Sequence, residues 1–271
     1  MNNNEKHFAA NRELWNHKAA LHVDAEFYDQ VSFEQGRNSL NAFELELLGA
    51  VNNTKTLHVQ CHFGQDSLSL TRMGAQVTGV DFSQQAINTA SDLSKRLELP
   101  AQFVCCNVLD MEQHLEEKFD LAFASYGICG WFPDFKAWAR QVAQRLELGG
   151  RLILVDFHPA LWMFDKEFTY LQYSYFNKEL ITEVEEATYT GQAQQPLDCY
   201  SWNHSLADII SAFLEVGLTV QQFKEYDYSP YPCFSKMVPR PEGGYYIKGL
   251  EGKLPMVYGL ELIKTDAITN V

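Results

Sequence analysis

The sequence predicts an α/β protein built on a doubly wound, mostly parallel seven-stranded sheet, and three observations carry that expectation. Residues 56–83, TLHVQCHFGQDSLSLTRMGAQVTGVDFS, read as strand, turn, helix and strand, with Asp81 at the end of the second strand. Downstream of it strands and helices alternate, as right-handed crossovers between parallel strands require. The run RLILVDF is almost continuously apolar, as in a strand covered on both faces.

The first unit sets the rest. Its strand is Thr56–Gln60, its turn closes at Gly64, its helix is Ser67–Met73 and its second strand is Gln76–Val80. Such a unit passes a ligand near a helix N-terminus while the carboxylate accepts both ribose hydroxyls. Asp81 follows Gly64 at about the required offset, roughly 20 residues or slightly fewer. Ser83 then caps a helix running to about Leu99, stopped by Pro100. AQFVCCNV and KFDLAFASYG are the third and fourth strands. Trp138, Val142 and Leu146 form a helical stripe that Gly149 and Gly150 break before RLILVDF. At His158-Pro159 the rhythm stops. Residues 158–204 form an aromatic-rich insertion in which TEVEEATYT reads as a short strand. The pattern resumes with SLADIISAFLEVGL, a helix capped by Ser205, and with TVQQFKEY, a strand. MVYGLELIK alternates like an antiparallel edge strand, after a Pro/Tyr/Gly-rich connection at 227–255. The whole chain, 1–271, reads as one domain: a helical segment at 1–50, a core at 54–157, the insertion, and a C-terminal part of the sheet at 205–271. The first segment is a packing arm or a lid over a ligand.

Composition narrows the partners. With 46% hydrophobic and 21% charged residues the chain is an ordinary globular one, but its formal charge is −14. Nucleic acid and anionic membrane both attract basic patches, so neither is expected as a partner, and a small or cationic substrate fits better. The six cysteines lack C-x-x-C spacing and read as reduced thiols. With no apolar run approaching 18 residues, the expectation is a cytoplasmic protein.

The first turn discriminates between ligands. A dinucleotide enzyme normally has G-x-G-x-x-G there, so that backbone can approach a pyrophosphate. Gln60-Cys61-His62-Phe63-Gly64 offers a single glycine, and no G-K-[ST] follows it to make a phosphate loop. A nucleoside without a diphosphate remains, of which S-adenosylmethionine is the obvious case. His58 and His62 lie across a strand and a turn, so helical metal-ligand geometry fails and no metal is expected.

These segments resemble a class I S-adenosylmethionine-dependent methyltransferase, in particular a bacterial group whose first motif reads LHxQCxxG. LHVQCHFGQDSLSL, GAQVTGVDFS, KFDLAFASYGICGWFPD, LELGGRLILVDFHP and WNHSLADIISAFLEVGL occur in the expected order over nearly the whole chain. The resemblance implies a Rossmann-like fold and a methyl transfer by in-line displacement to a small-molecule acceptor. It places the methionine end of the cofactor over Gln60, His62 and Gly64, the ribose on Asp81, and the adenine against Phe82, Asn107 and Val108. Ser125 falls where cofactor and acceptor meet, and Tyr28 is a further contact. Where the wider superfamily has an acidic residue and two glycines, this chain has His58, Gln60 and His62. Backbone carbonyls or Gln60 are the expected substitutes at the amino-acid end. A base is needed only if the acceptor must lose a proton; the candidate catalytic residues are His158 and Tyr126, with Glu225 and Tyr226 behind them. Tyr126, Trp131, Trp202 and His204 are the expected substrate contacts, with Trp162 and Tyr173 as further wall. A non-catalytic cofactor-binding protein of the same fold is the competing reading, and a nicotinamide oxidoreductase a distant third.

Overall fold

The computed structural model describes residues 3–265. The N-terminal segment forms α1 (Asn3–His22), a 3-10 turn at Glu26–Tyr28, α2 (Gln30–Glu34) and α3 (Ala42–Leu48). Helix α3 starts with a reciprocal cap, Asn41 accepting from the third helical N–H while the Glu44 carboxylate accepts from Asn41 N.

The core follows the expected alternation: β1 (Lys55–Val59), α4 (Gln65–Arg72), β2 (Gln76–Asp81), α5 (Gln84–Arg96), β3 (Gln102–Cys105), β4 (Phe119–Ser125), α6 (Phe135–Arg145) and β5 (Leu146–Phe157). Ser83 caps α5 by accepting from Ala86 N at 3.1 Å, as its position before an apolar-periodic run predicts. That helix ends earlier than expected, because Glu98 already has a left-handed backbone before Pro100. Helix α6 also ends early. Leu146 leaves its stripe to pair with Phe119, so β5 begins before the Gly149-Gly150 turn.

After β5 come β6 (Ile181–Ala187) and β7 (Ala193–Ser201), then α7 (Leu206–Leu214), β8 (Leu218–Tyr226), β9 (Met237–Pro239), β10 (Tyr245–Ile247) and β11 (Val257–Lys264). Three of these were not expected: β7, β9 and β10. Only β6 was legible in the insertion, and β7 is its antiparallel partner. Pro196 disguises β7, but it lies opposite the irregular stretch between Glu185 and Ala187, where a missing N–H costs no ladder bond. The connection at 227–255 also holds a hairpin, β9 with β10.

The main sheet has the order β3-β2-β1-β4-β5-β11-β8. Strands β1 to β5 are mutually parallel, and β11 runs antiparallel to both its neighbours. The antiparallel strand therefore belongs to the pair ending the sheet, as its inner member, with β8 outside it. Both faces are covered. On β4, Ala122 and Ala124 join the core beneath α6 and α7, while Leu121 and Phe123 join the one beneath α3. Strand order reverses between β1 and β4, which opens a crevice at their carboxyl ends. Among the described residues no helix is long and apolar enough to cross a membrane, and all six cysteines are free thiols.

Candidate active site

That crevice widens into a cavity of about 820 Å³. Its floor is the first turn and the ends of β2, β4 and β5. Its cover comes from α1, the 3-10 turn, the β6–β7 hairpin and residues 157–168 and 231–235. This volume lies within the range of small-molecule sites, near its upper end.

The first turn has the backbone of a glycine loop without its glycines. Gln60 and His62 both adopt left-handed conformations (φ 58° and 51°), as does Gly64 (φ 85°). Two side-chain anchors offset the strain of the non-glycine pair. Gln60 Oε1 accepts from Trp138 Nε1 at 2.8 Å. His62 Nδ1 accepts from Phe63 N at 2.8 Å. Gly64 is a glycine for a second reason: a Cβ there would lie 2.9 Å from Ala90 Cβ and 3.0 Å from the Phe103 ring.

The carboxylates on the cavity floor are held by hydrogen bonds. Asp81 Oδ2 accepts from His62 N and Oδ1 from Ser83 N, each at 2.9 Å, so each oxygen keeps acceptor capacity. Burial still raises its pKa to about 6. Asp156, at the end of β5, accepts from the backbone N–H groups of Gly127, Ile128 and Cys129 and so shapes the loop after β4. Asp66, in the first turn of α4, accepts from Ser39 Oγ at 2.6 Å and from Ser125 Oγ at 3.4 Å, and burial raises its pKa. Burial lowers the pKa of His58 to about 3, and its Nδ1 lies 2.7 Å from Ser67 Oγ. The β1 position that would carry an acid in the wider superfamily is thus a neutral ring.

A chain of neutral groups closes the cover over the turn. Because His62 Nδ1 accepts from Phe63 N, its proton sits on Nε2 and is donated to His22 Nδ1 at 3.0 Å. Tyr189 Oη, in the β6–β7 turn, lies 3.4 Å from the same His22 atom and hydrogen-bonds to Tyr28 Oη. Burial lowers the pKa of both histidines, with Lys18 adding to the effect, so both stay uncharged. Lys18 itself pairs with Glu185 at 2.6 Å, and the Asn11 side chain bonds both to Tyr200 O and to Tyr200 N, tying α1 to β7.

The expected residues divide cleanly. Tyr28, Gln60, His62, Gly64, Asp81, Phe82, Asn107, Val108, Ser125, Tyr126, Trp131 and Trp202 all border the cavity, as do Trp162 and Tyr173. Within that set Gln60 has its Oε1 engaged by Trp138 Nε1, which leaves its Nε2 donors for a ligand. Asn107 is altered, because its Oδ1 already accepts from Leu109 N to start a 3-10 turn. His158 does not border the cavity. It precedes Pro159, caps the following 3-10 turn through Nδ1 and Ala160 N, and turns Nε2 to Glu225 on β8 at 2.9 Å. Tyr226 likewise faces away, stacked on Phe43 at 3.9 Å. His204 bonds to Phe132 O at 2.8 Å and borders a separate, smaller cleft. Cavity residues not anticipated include Trp15, Lys18, Arg37, Ser39, Asp66, Asp156, Tyr189, Tyr231 and Phe234. Asp66 had a readable signal, a carboxylate in the first turn after Gly64, and Asp156 another, at the end of the apolar run RLILVDF; Arg37, Ser39, Tyr189, Tyr231 and Phe234 come from segments without periodicity.

Known proteins show the same architecture. Residues 57–154 match the family described as a methyltransferase domain. A Listeria monocytogenes protein inferred to be an S-adenosylmethionine-dependent methyltransferase is 18% identical with a TM-score of 0.59, over 82% of this chain and 94% of that one. An S-adenosylmethionine-dependent methyltransferase from Mesorhizobium loti is 17% identical with a TM-score of 0.56, over 85% and 99%. Geranyl diphosphate C-methyltransferase from Streptomyces coelicolor, solved with S-adenosylhomocysteine, is 13% identical with a TM-score of 0.54, over 87% and 79%. At these identities the likeness speaks for the fold. No curated protein matches the chain by sequence.

Proposed function

We propose that this class I S-adenosylmethionine-dependent methyltransferase delivers its methyl group to a small, largely apolar acceptor held beneath the 158–204 insertion. The cofactor supplies an electrophilic methyl on a sulfonium, open to in-line displacement. For such a reaction, alignment in a dry pocket does much of the work.

The residues present fit that cofactor. Asp81, with acceptor capacity on both oxygens, takes the ribose hydroxyls. Phe82 packs against the adenine. Val108 bounds the ring, and Asn107, its oxygen engaged by Leu109 N, turns amide donors to the ring nitrogens. Tyr28, His62, Gly64 and Ser125 enclose the methionine end.

What carries the choice of acceptor is continuity. Ser125 and Tyr126 end β4 in the same cavity that Phe157, Leu161, Trp162, Phe164, Phe168 and Phe234 wall on its far side. An aromatic wall of this kind also suits an acceptor bearing a positive charge. Burial and the neighbouring Glu44 carboxylate push the Tyr126 pKa well above the ordinary phenol range. Tyr126 is therefore not a base: its hydroxyl is buried beside Glu44, and its ring bounds the acceptor. With His158 and His204 outside the cavity, and burial holding His58 and His62 well below the usual imidazole range, the reading favours acceptors that need no deprotonation by histidine.

Calorimetric titration with S-adenosylmethionine and S-adenosylhomocysteine tests the cofactor, and labelled methyl transfer into a metabolite extract tests the reaction. Micromolar binding with transfer above a heat-killed control is expected. Absence of binding at millimolar ligand overturns the reading. Binding without transfer points to the non-catalytic cofactor-binding protein instead.

A further inference from the structure

The amino-acid end of S-adenosylmethionine is a zwitterion, and the first motif offers it neither charge. His58 is neutral and bonded to Ser67, and Gln60 is uncharged with its oxygen engaged by Trp138. Two charged side chains from elsewhere border the same part of the cavity. Asp66 is the second residue of α4, directly after Gly64 and Gln65, and Arg37 lies in the connection between α2 and α3.

We propose that Asp66 and Arg37 together clamp this zwitterion, Asp66 receiving the ammonium and Arg37 the carboxylate; the proposal rests on the methyltransferase reading above. The acidic contact has in effect moved from the strand before the turn to the helix after it.

Each partner has unused capacity. A carboxylate has about four acceptor positions. Asp66 fills one with Ser39 Oγ at 2.6 Å and another only loosely with Ser125 Oγ at 3.4 Å. Arg37 spends Nη2 on Tyr28 O and Asp29 O, at 2.7 and 3.3 Å, and reaches Asn38 O from Nη1 at 3.5 Å. Its Nε makes only a loose ion pair with Asp29, at 3.6 Å, and no hydrogen bond. Asp66 already feels the Arg37 charge, but a second carboxylate lies close by. Glu44, fully buried on α3, lies within electrostatic reach of Asp66 and of the Tyr126 and Tyr231 hydroxyls, and repulsion from Asp66 helps to raise its pKa to about 7. An ammonium beside Asp66 relieves that repulsion. The N-terminus of α4 adds positive potential where the ligand carboxylate meets Arg37.

A purely structural role is the alternative. Asp66 would then be a helix-start residue and Arg37 a strut beneath the 3-10 turn, and neither would sense the ligand's amino-acid end. Three ligands separate the cases: S-adenosylhomocysteine, decarboxylated S-adenosylmethionine, which keeps the ammonium, and 5′-methylthioadenosine, which has neither charge. In Asp66→Asn the first two should bind about tenfold or more weakly while 5′-methylthioadenosine is unaffected. In Arg37→Gln only S-adenosylhomocysteine should lose affinity to that extent. Unchanged 5′-methylthioadenosine binding also shows that each variant is folded. Loss of all three ligands in parallel, or of none, overturns the clamp. If wild-type protein binds none of them, the cofactor reading falls and the clamp with it.

Discussion

At Asp81 burial and hydrogen bonding act on one carboxylate in opposite directions. Burial raises its pKa from 3.8 to about 6, against the pull of backbone N–H groups from His62, Phe82 and Ser83. The folded chain therefore holds a proton between about pH 4 and 6 that the unfolded chain releases, and ionising Asp81 costs stability as pH rises through that window. Ribose hydroxyls donate to the charged form, so affinity for S-adenosylhomocysteine should climb as pH rises through about 6 and then level. Titrations from pH 5 to 8 check this, with Asp81→Asn as control: the part of the climb due to Asp81 should vanish. Asp81→Ala should weaken binding by about tenfold or more at pH 7.5 through loss of a charge-assisted pair. Equal affinity in that variant would remove Asp81 from the ribose. This residue was legible because a strand end at a fixed offset from a turn leaves little freedom, and the same logic found Ser125 and Tyr126. It failed at His158, one residue past a strand end, where capping the turn at Pro159 and pairing with Glu225 outcompeted the cavity. Arg37 and Tyr189 gave no signal, since which way a side chain in an aperiodic segment points depends on contacts the segment itself does not encode.

Helix α4 sits against its neighbours through an absence. A methyl at Gly64 would meet Ala90 and Phe103 at 3.0 Å or less while also fixing an unfavourable φ of 85°. Gly64→Ala should destabilise the fold by about 1–3 kcal/mol, lowering the thermal midpoint by roughly 2–4 °C for each kcal/mol. A midpoint unchanged in scanning calorimetry would mean that α4 shifts freely. On α3 the informative residue is Glu44, whose folded pKa of about 7 exceeds its ordinary 4.5. Its ionisation costs stability progressively above pH 4.5 and fully above about 7. Gln keeps the reciprocal cap with Asn41 and removes the charge. Glu44→Gln should therefore raise the midpoint at pH 8 and leave it almost unmoved at pH 4.5; equal shifts at both would contradict the assignment. Elements with strong periodicity, from β1 to β5 and α7, were readable, whereas β7 was hidden by Pro196 and β9 and β10 by their three-residue length. The alternation in MVYGLELIK identified an antiparallel strand, but could not tell the inner from the outer member of the final pair.

Across the whole molecule the cover joins distant stretches of chain. Residues of α1 and the 3-10 turn meet the β6–β7 hairpin through Asn11 with Tyr200, Lys18 with Glu185, and Tyr28 with Tyr189. Ligand binding beneath this cover should therefore slow amide exchange in residues 11–28 and 181–201 together. Protection of one stretch alone, read by hydrogen-exchange mass spectrometry, would show that they are not coupled. The 158–204 insertion was visible as a break in rhythm and its wall as an excess of aromatic residues, while its grip on α1 is a contact between surfaces that share no pattern. The Asn11–Tyr200 pair, 189 residues apart, also orders events in time. Closing so long a loop is entropically costly and tends to follow the local pairings. During refolding, the pocket floor between β1 and β5 should mature first and stay open to water.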